Sequence, residues 1–220
     1  MRIPLGLDQK DLPGLPTDWQ ERLRSRLRGS PDPRLESCRV GTRSAVERDR
    51  LPESIAAAAV LVPIVLHPRG PTLLLTVRAT HLRSHAGQIS FPGGRIEPAD
   101  VDAGAAALRE TREEIGIAAE CIEPIGYLSD QIIRSGFRIT PLVGLLAPGF
   151  SVRHDQTEVA EVFELPLVFA LDANNYRSRP GRMRGLDFEI WELPFGERHI
   201  WGATAGILAN LRELLGAESV

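Results

Sequence analysis

The stretch GGRIEPADVDAGAAALRETREEIGI, residues 93–117, decides how the chain is read. It opens on a glycine turn, passes through an acidic loop and becomes a helix that ends at Ile115. Gly116 suits the left-handed residue that closes such a helix. Its charges stand where helix physics disfavours them. Glu110 and Glu114 are neighbours on one face and repel. Together with Glu113 they fall near the C-terminal end, where the macrodipole disfavours each anion by about 0.3–1 kcal/mol. Projected down the helix axis, the three carboxylates gather within about a third of the circumference, with Ala105, Leu108 and Ile115 opposite. The expectation is one buried apolar face and one face that presents carboxylates. Small residues at 105–107 let the helix approach a sheet closely.

A solvated acidic face is the ordinary reading of such a charge run, and it fits poorly here. A bound divalent cation reverses the sign of both penalties. Oxygen-only ligands suit Mg²⁺ or Mn²⁺. Gly93 and Gly94 allow backbone carbonyls to approach the same ion, since glycine has no Cβ in the way. Arg109, one helical turn before Glu113, is placed to pair with a carboxylate and orient it. A metal platform without thiols or a histidine cluster points to phosphate chemistry, in which a divalent cation bridges phosphate oxygens and acidifies water.

Working outward, AAAVLVPIVL and TLLLTVR are apolar runs separated by the turn-like HPRGP, and they read as a hairpin buried on both faces. QISFPGG reads as a short strand entering a Gly-Gly turn. CIEPIGYLSD and FRITPLVGLLA are further strands. EVAEVFELPLVFAL reads as a strand running into a short helix at Pro166, and RGLDFEIWEL with RHIWGA as another hairpin. TAGILANLRELLG carries an apolar stripe of Ile207, Leu208, Leu211, Leu214 and Leu215 and is the clearest helix in the chain. Near the start, PTDWQERLRSRLRG offers Thr17 or Asp18 as N-cap, Gly29 as stop, and Trp19, Leu23 and Leu27 on one face. That helix either packs on the main domain, the favoured reading, or forms a homodimer contact. GSPDPRLESC then reads as a loop. The expected organisation is a helical arm over residues 1–50 and one catalytic domain over 51–220. The expected fold is α/β (α+β), a mixed sheet sandwiched between helices.

The 220 residues are 43% hydrophobic and 25% charged, as globular domains are. A formal net charge of −3 argues against general nucleic-acid affinity. Cys38 and Cys121 have no metal-ligand spacing and read as free thiols. No apolar run is long enough to span a bilayer and the first residues lack a signal-peptide core, so a soluble cytoplasmic protein with no membrane partner is expected.

The run Arg109-Glu110-Thr111-Arg112-Glu113-Glu114-Ile115-Gly116, after a Gly-Gly pair, resembles the Nudix box, the signature of enzymes that hydrolyse a nucleoside diphosphate linked to another group. The general box reads Gly, five residues, Glu, seven residues, Arg-Glu. Counting back from Arg109 places Val101 where that Glu belongs; counting forward from Gly94 places Asp100 there. The loop carries one extra residue, with Glu97, Asp100 and Asp102 nearby. A longer loop is a feature of the coenzyme A pyrophosphatase branch. The segment LLTVRATHLRSHAGQISFPGGRIEPAD resembles that branch's additional signature through Thr76, Arg78, Leu82, Arg83, His85, Gly87, Gln88, Phe91, Pro92, Gly93, Gly94, Pro98 and Asp100. It departs with Ala79 for Ser and Glu97 for Asp. The resemblance covers about residues 57–211.

By this resemblance Glu110 and Glu114 are the main ligands of Mg²⁺ or Mn²⁺, Glu113 supports them, Gly93 offers its carbonyl, and Arg109 holds the carboxylates in place. The implied substrate is coenzyme A or a derivative, cut to 4′-phosphopantetheine and adenosine 3′,5′-bisphosphate. Arg78, Arg83 and His85 form a basic set for its phosphates; alone, Arg83 reads as a surface charge and His85 as a loop-fixing hydrogen-bonder. The base is a carboxylate: Glu158 is favoured, with Glu161 and Glu113 as alternatives, and a rim salt bridge is the competing reading. Phe137 either stacks on adenine or packs the core, and Trp191 and Trp201 are expected in the core. Two rivals remain: a Nudix hydrolase for ADP-ribose or a dinucleoside polyphosphate, and a non-catalytic nucleotide-binding module, which the intact carboxylates disfavour.

Overall fold

The computed structural model describes residues 15–44, 51–82 and 84–216. Helix α1 (Trp19–Arg26) buries Trp19 and Leu23 in the main core of its own chain, which leaves neither for a dimer contact. The next segment is not all loop. It has a 3₁₀ turn at Leu35–Ser37 and leads into β1 (Arg39–Val40) and β2 (Arg43–Ser44), an antiparallel pair on the main sheet.

The expected hairpin is present as β3 (Ala56–Val65) and β4 (Thr72–Arg78). They pair only at its closed end, Ile64 with Leu73 and Val65 with Thr72. Beyond that they splay. Into the opening come β5 (Ile89–Ser90), paired to β4, and β6 (Gly93–Arg95), paired to β3. The Gly93-Gly94 pair therefore lies in a short strand, not in the turn its composition suggested. Pairing with β3 holds both glycines extended, with Gly93 at φ 153°, and leaves the Gly93 N–H for the helix that follows. Helix α2 (Ala103–Ile115) follows. The Asp102 side chain accepts from the Ala105 N–H at its start, and Gly116, φ 73°, closes it.

β7 (Ile122–Tyr127) and the two-residue β8 (Gln131–Ile132) flank β9 (Phe137–Leu146), which runs parallel to β3 over the whole length of both strands. β10 (Val159–Pro166) pairs with β4 and turns into α3 (Leu167–Leu171), as the proline at 166 suggested. Among the described residues the main sheet has the order β10-β4-β3-β9-β8-β1-β2. β12 (Leu186–Phe195) and β13 (Arg198–Trp201) form the second expected hairpin, and β11 (Arg177–Met183) adds a third strand to this separate antiparallel sheet. The sequence RSRPGRM has no apolar alternation, so β11 was invisible to a hydrophobic pattern. Helix α4 (Ala203–Leu215) closes the fold.

Strand alternation divides β3 and β4 between two cores. Ala59, Leu61, Val65 and Leu74 face α2 with Ala103, Ala106, Ala107 and Ile115. Val62, Ile64, Leu73 and Leu75 face the other way, with Ile207, Leu208, Leu211 and Leu215 of α4. The sheet is thus sandwiched between helices, as expected. A smaller cluster of Cys38, Val40, Ile132, Met183 and Phe188 joins the second sheet to the main one. Both cysteines are free; Cys38 is buried and Cys121 exposed. No helix among the described residues is long and apolar enough to cross a membrane.

Candidate active site

The carboxylates of α2 do not face solvent opposite a buried apolar stripe. The helix buries Ala103, Ala106, Ala107, Thr111, Glu114 and Ile115, while Ala105 and Leu108 stay partly exposed. Ala103, Ala107, Glu110 and Glu114 recur at helical spacing along one line, so alanines and acids share the inward face. The alanines bring the helix close to the sheet, and the two acids enter where β3 and β4 have splayed.

Glu114 is only 3% exposed. Its Oε2 accepts the Gly93 N–H at 3.1 Å, and its Oε1 stands 3.6 Å from Arg78 Nη1. Burial raises its pKa from 4.5 to about 7; the Gly93 N–H and Arg78 oppose the shift, and Glu110 and Glu158 add to it. Glu110 is also pushed up by burial, against the pull of Arg109 and with a further push from Glu113 and Glu158. Its carboxylate lies so close to Gly94 that a Cβ there would stand 2.5 Å from it. The second glycine of the pair is therefore fixed by the acid it faces.

Arg109 is the hub of the other half of the site. Its Nε and Nη2 bind the two oxygens of Asp100 at 3.0 Å each, and Nη1 reaches Glu110 and Glu113, also at 3.0 Å. Nη2 also donates to the Arg95 carbonyl at 3.1 Å. These partners hold Arg109 firmly charged, and its grip lowers the Asp100 pKa. Asp100 is thus the acid that the lengthened loop delivers to the box arginine. Counting forward from Gly94 pointed to it, and counting back from Arg109 missed it. Glu113 is exposed and turned to Arg109, apart from the inward pair.

Glu158 precedes β10 on a loop that binds the C-terminal end of α2, where the Asp155 N–H donates to the Glu114 carbonyl at 2.9 Å. It is exposed, and its charge reaches both Glu110 and Glu114. Glu161 instead bonds Arg198 at 2.5 Å, which is the rim salt bridge. Among the described residues no three His, Cys, Asp or Glu side chains converge as a ready-made metal cage. What does converge is a pair of desolvated carboxylates, with oxygen donors only.

Arg78 joins this pair to a cleft of about 690 Å³ that reaches the second sheet. His85 also lines it, with Nδ1 2.7 Å from Gln88 Oε1, so the loop-fixing bond and the cleft position coexist. Arg83 lies outside the described residues. Trp201 was expected in the core; it is only partly buried and lines the cleft, with the Arg179 guanidinium over its ring. Trp191 packs against the main core. Phe137 is not in the core: it is partly exposed beneath the Arg95 guanidinium, 5.1 Å from its ring centre.

The model of the NUDIX domain matches residues 56–180. The chain belongs to the Nudix family. NudL of Escherichia coli (strain K12), described as an uncharacterized Nudix hydrolase, is 42% identical over 161 residues, which cover 73% of this chain and 83% of that protein. NudL of Klebsiella pneumoniae (strain 342), described in the same words, is 44% identical over 160 residues with the same coverage. The Nudix hydrolase RenU of M. smegmatis aligns in structure over 76% of this chain and 89% of its own, with a TM-score of 0.52 and 18% identity, a likeness of fold. This Nudix protein is therefore a pyrophosphohydrolase by family, and Nudix hydrolases generally use divalent cations such as Mg²⁺ or Mn²⁺.

Proposed function

We propose that this Nudix hydrolase cleaves the diphosphate of coenzyme A or a derivative, giving 4′-phosphopantetheine and adenosine 3′,5′-bisphosphate. The observation that carries the reading is the Glu110–Glu114 pair beside Arg78, which opens directly into a cleft large enough for a long substrate. The donor set fits a hard cation. Two carboxylates are held together and desolvated, their pKa values rise, and a bound Mg²⁺ or Mn²⁺ would relieve both their repulsion and their burial. Glu110 and Glu114 would hold it, with Glu113 and the Gly93 carbonyl in support. When bound, it supplies the positive charge that offsets charge developing on phosphate.

The remaining work falls to side chains. Arg109, fixed by Asp100, keeps Glu110 and Glu113 in place. Arg78, with Arg83 and His85, steadies the diphosphate. Glu158 takes the proton from the attacking water; its charge already reaches both inward carboxylates. The residues at 76–100 that match the coenzyme A pyrophosphatase signature favour this substrate over ADP-ribose or a dinucleoside polyphosphate, and NudL relatives named only as Nudix hydrolases leave it open to test.

Product chromatography of coenzyme A, acetyl-coenzyme A, dephospho-coenzyme A, ADP-ribose, NADH and diadenosine polyphosphates, each with Mg²⁺ and Mn²⁺, decides the matter. The expected result is preference for coenzyme A and its acyl form. Faster turnover of ADP-ribose or a dinucleotide overturns the substrate and keeps the catalytic helix.

A further inference from the structure

The cleft beyond Arg78 has a lining unlike the rest of the molecule. Arg78, Arg134, Arg179 and His85 contribute to it, and among the described residues no aspartate or glutamate does. In a chain with 29 acidic and 26 basic residues, a wall without a single carboxylate is built for an anion. Gln131, at its floor, is 2% exposed, and its Nε2 has no hydrogen-bond partner. A buried donor left unpaired is destabilising until an acceptor arrives. Two aromatics, Phe188 and Trp201, share the wall.

The arginines at the far side have capacity to spare. Arg179 lies over the Trp201 ring at 5.3 Å, and among the described residues only its Nε is engaged, by Glu192 Oε1 at 2.7 Å. Arg134 is exposed on the turn between β8 and β9, with no ion pair or hydrogen bond among the described residues. Neither touches the carboxylates of α2, so the catalytic helix does not account for them.

We infer that this cleft holds the nucleoside arm of the substrate, and that Arg134 and Arg179 determine specificity by reading a phosphate on the ribose outside the diphosphate that is cut. The inference rests on the proposed function, which supplies a nucleotide with such an extra phosphate. The base lies among Trp201, Phe188 and the isoleucines, and Gln131 donates to one of its ring nitrogens. Guanidinium forks match phosphate oxygens. The other arm of coenzyme A, neutral and amide-bearing, would leave Arg134 and the free nitrogens of Arg179 without a phosphate to bind and gains nothing from this lining.

The test is calorimetric titration of the metal-free full chain with adenosine 3′,5′-bisphosphate, AMP and 4′-phosphopantetheine. It compares wild type with Arg134→Ala, Arg179→Ala and the cleft-filling Ile190→Trp. Thermal melts check that each variant is folded. Wild type should bind the bisphosphate roughly tenfold or more tighter than AMP, as one charged hydrogen-bonding contact requires. That preference should shrink about tenfold in each arginine variant, and Ile190→Trp should weaken the bisphosphate while sparing 4′-phosphopantetheine. An equal affinity of wild type for bisphosphate and AMP overturns the inference. So does a preference that survives both arginine substitutions, or loss of 4′-phosphopantetheine binding in Ile190→Trp. Turnover of coenzyme A by wild type is measured alongside. If coenzyme A is hydrolysed and the preference survives, this inference alone falls; if coenzyme A is not hydrolysed, the proposed substrate falls and takes the inference with it.

Discussion

Helices α2 and α4 are each 13 residues long and pack on opposite faces of one sheet, yet they bury opposite things. α4 turns Ile207, Leu208, Leu211 and Leu215 into the main core. α2 turns in alanines, and then Glu110 and Glu114. The aliphatic stripe of α4 contributes about 1.5–3 kcal/mol for each large side chain removed from water. The inward face of α2 offers little apolar area, and burial shifts both of its acids toward the neutral form. One helix holds the domain together; the other is held by it with two acids desolvated against the sheet.

The sharpest way to break this comparison is to exchange charge on α2 for an isosteric neutral group. Glu114→Gln should reduce metal-dependent kcat by roughly 10³-fold, the equivalent of several kcal/mol of lost charge stabilisation. Circular dichroism should show the fold intact. Activity near wild type would leave Glu114 a structural residue. The counterpart on α4 is Leu211→Ala. Here denaturant titration should show a loss of about 2–5 kcal/mol with kcat unchanged in the folded fraction. A kcat that falls with stability would erase the division of labour.

Gly94→Ala probes the contact between the two halves of the site. Its new Cβ would meet the Glu110 carboxylate at 2.5 Å, so Glu110 must move. We expect kcat to drop by roughly 10- to 100-fold, with a stability change of about 1–2 kcal/mol, because overpacking shifts neighbours. Unchanged kinetics would show that the position of Glu110 is not critical.

A further effect is one of pH. The Glu114 carboxyl has a folded pKa of about 7 against an ordinary 4.5, so between those values the native state holds more proton than the unfolded chain. Stability of the metal-free protein should therefore fall as pH rises from 4.5 to 7, by on the order of 2–3 kcal/mol, and level off above. Urea titrations in chelator across that range should show the slope in wild type and lose most of it in Glu114→Gln, the remainder coming from Glu110. A slope of the same size in both would assign it to other groups.

Much of α4, β3, β4 and β9 was legible because large aliphatic residues recur at one period and admit one inward face. α2 was legible as a helix and misread in its orientation for the opposite reason. Alanine or glycine occupies positions 103–107, so no bulky stripe marked which side goes in, and the acids were taken as the outer face. Its chemistry was easier to read than its packing, since repulsion between Glu110 and Glu114 depends on spacing alone. Asp100 could be half-found by counting from Gly94, but only the fold shows both of its oxygens on Arg109. The cleft was out of reach. Its walls come from β5, β8, β11–β13 and α4, and a tryptophan on a short strand gives no sign in the sequence of whether it lines a cleft or a core.

The central claim, that the inward face of α2 is a cation site, is tested most directly by the effect of Mn²⁺ on the melting temperature of wild type and Glu114→Gln, with no substrate present. The account predicts that Glu114→Gln melts higher than wild type in chelator at pH 8, and that Mn²⁺ raises the Tm of wild type while leaving the variant unmoved. A variant that melts no higher in chelator and gains as much from Mn²⁺ as wild type would contradict it.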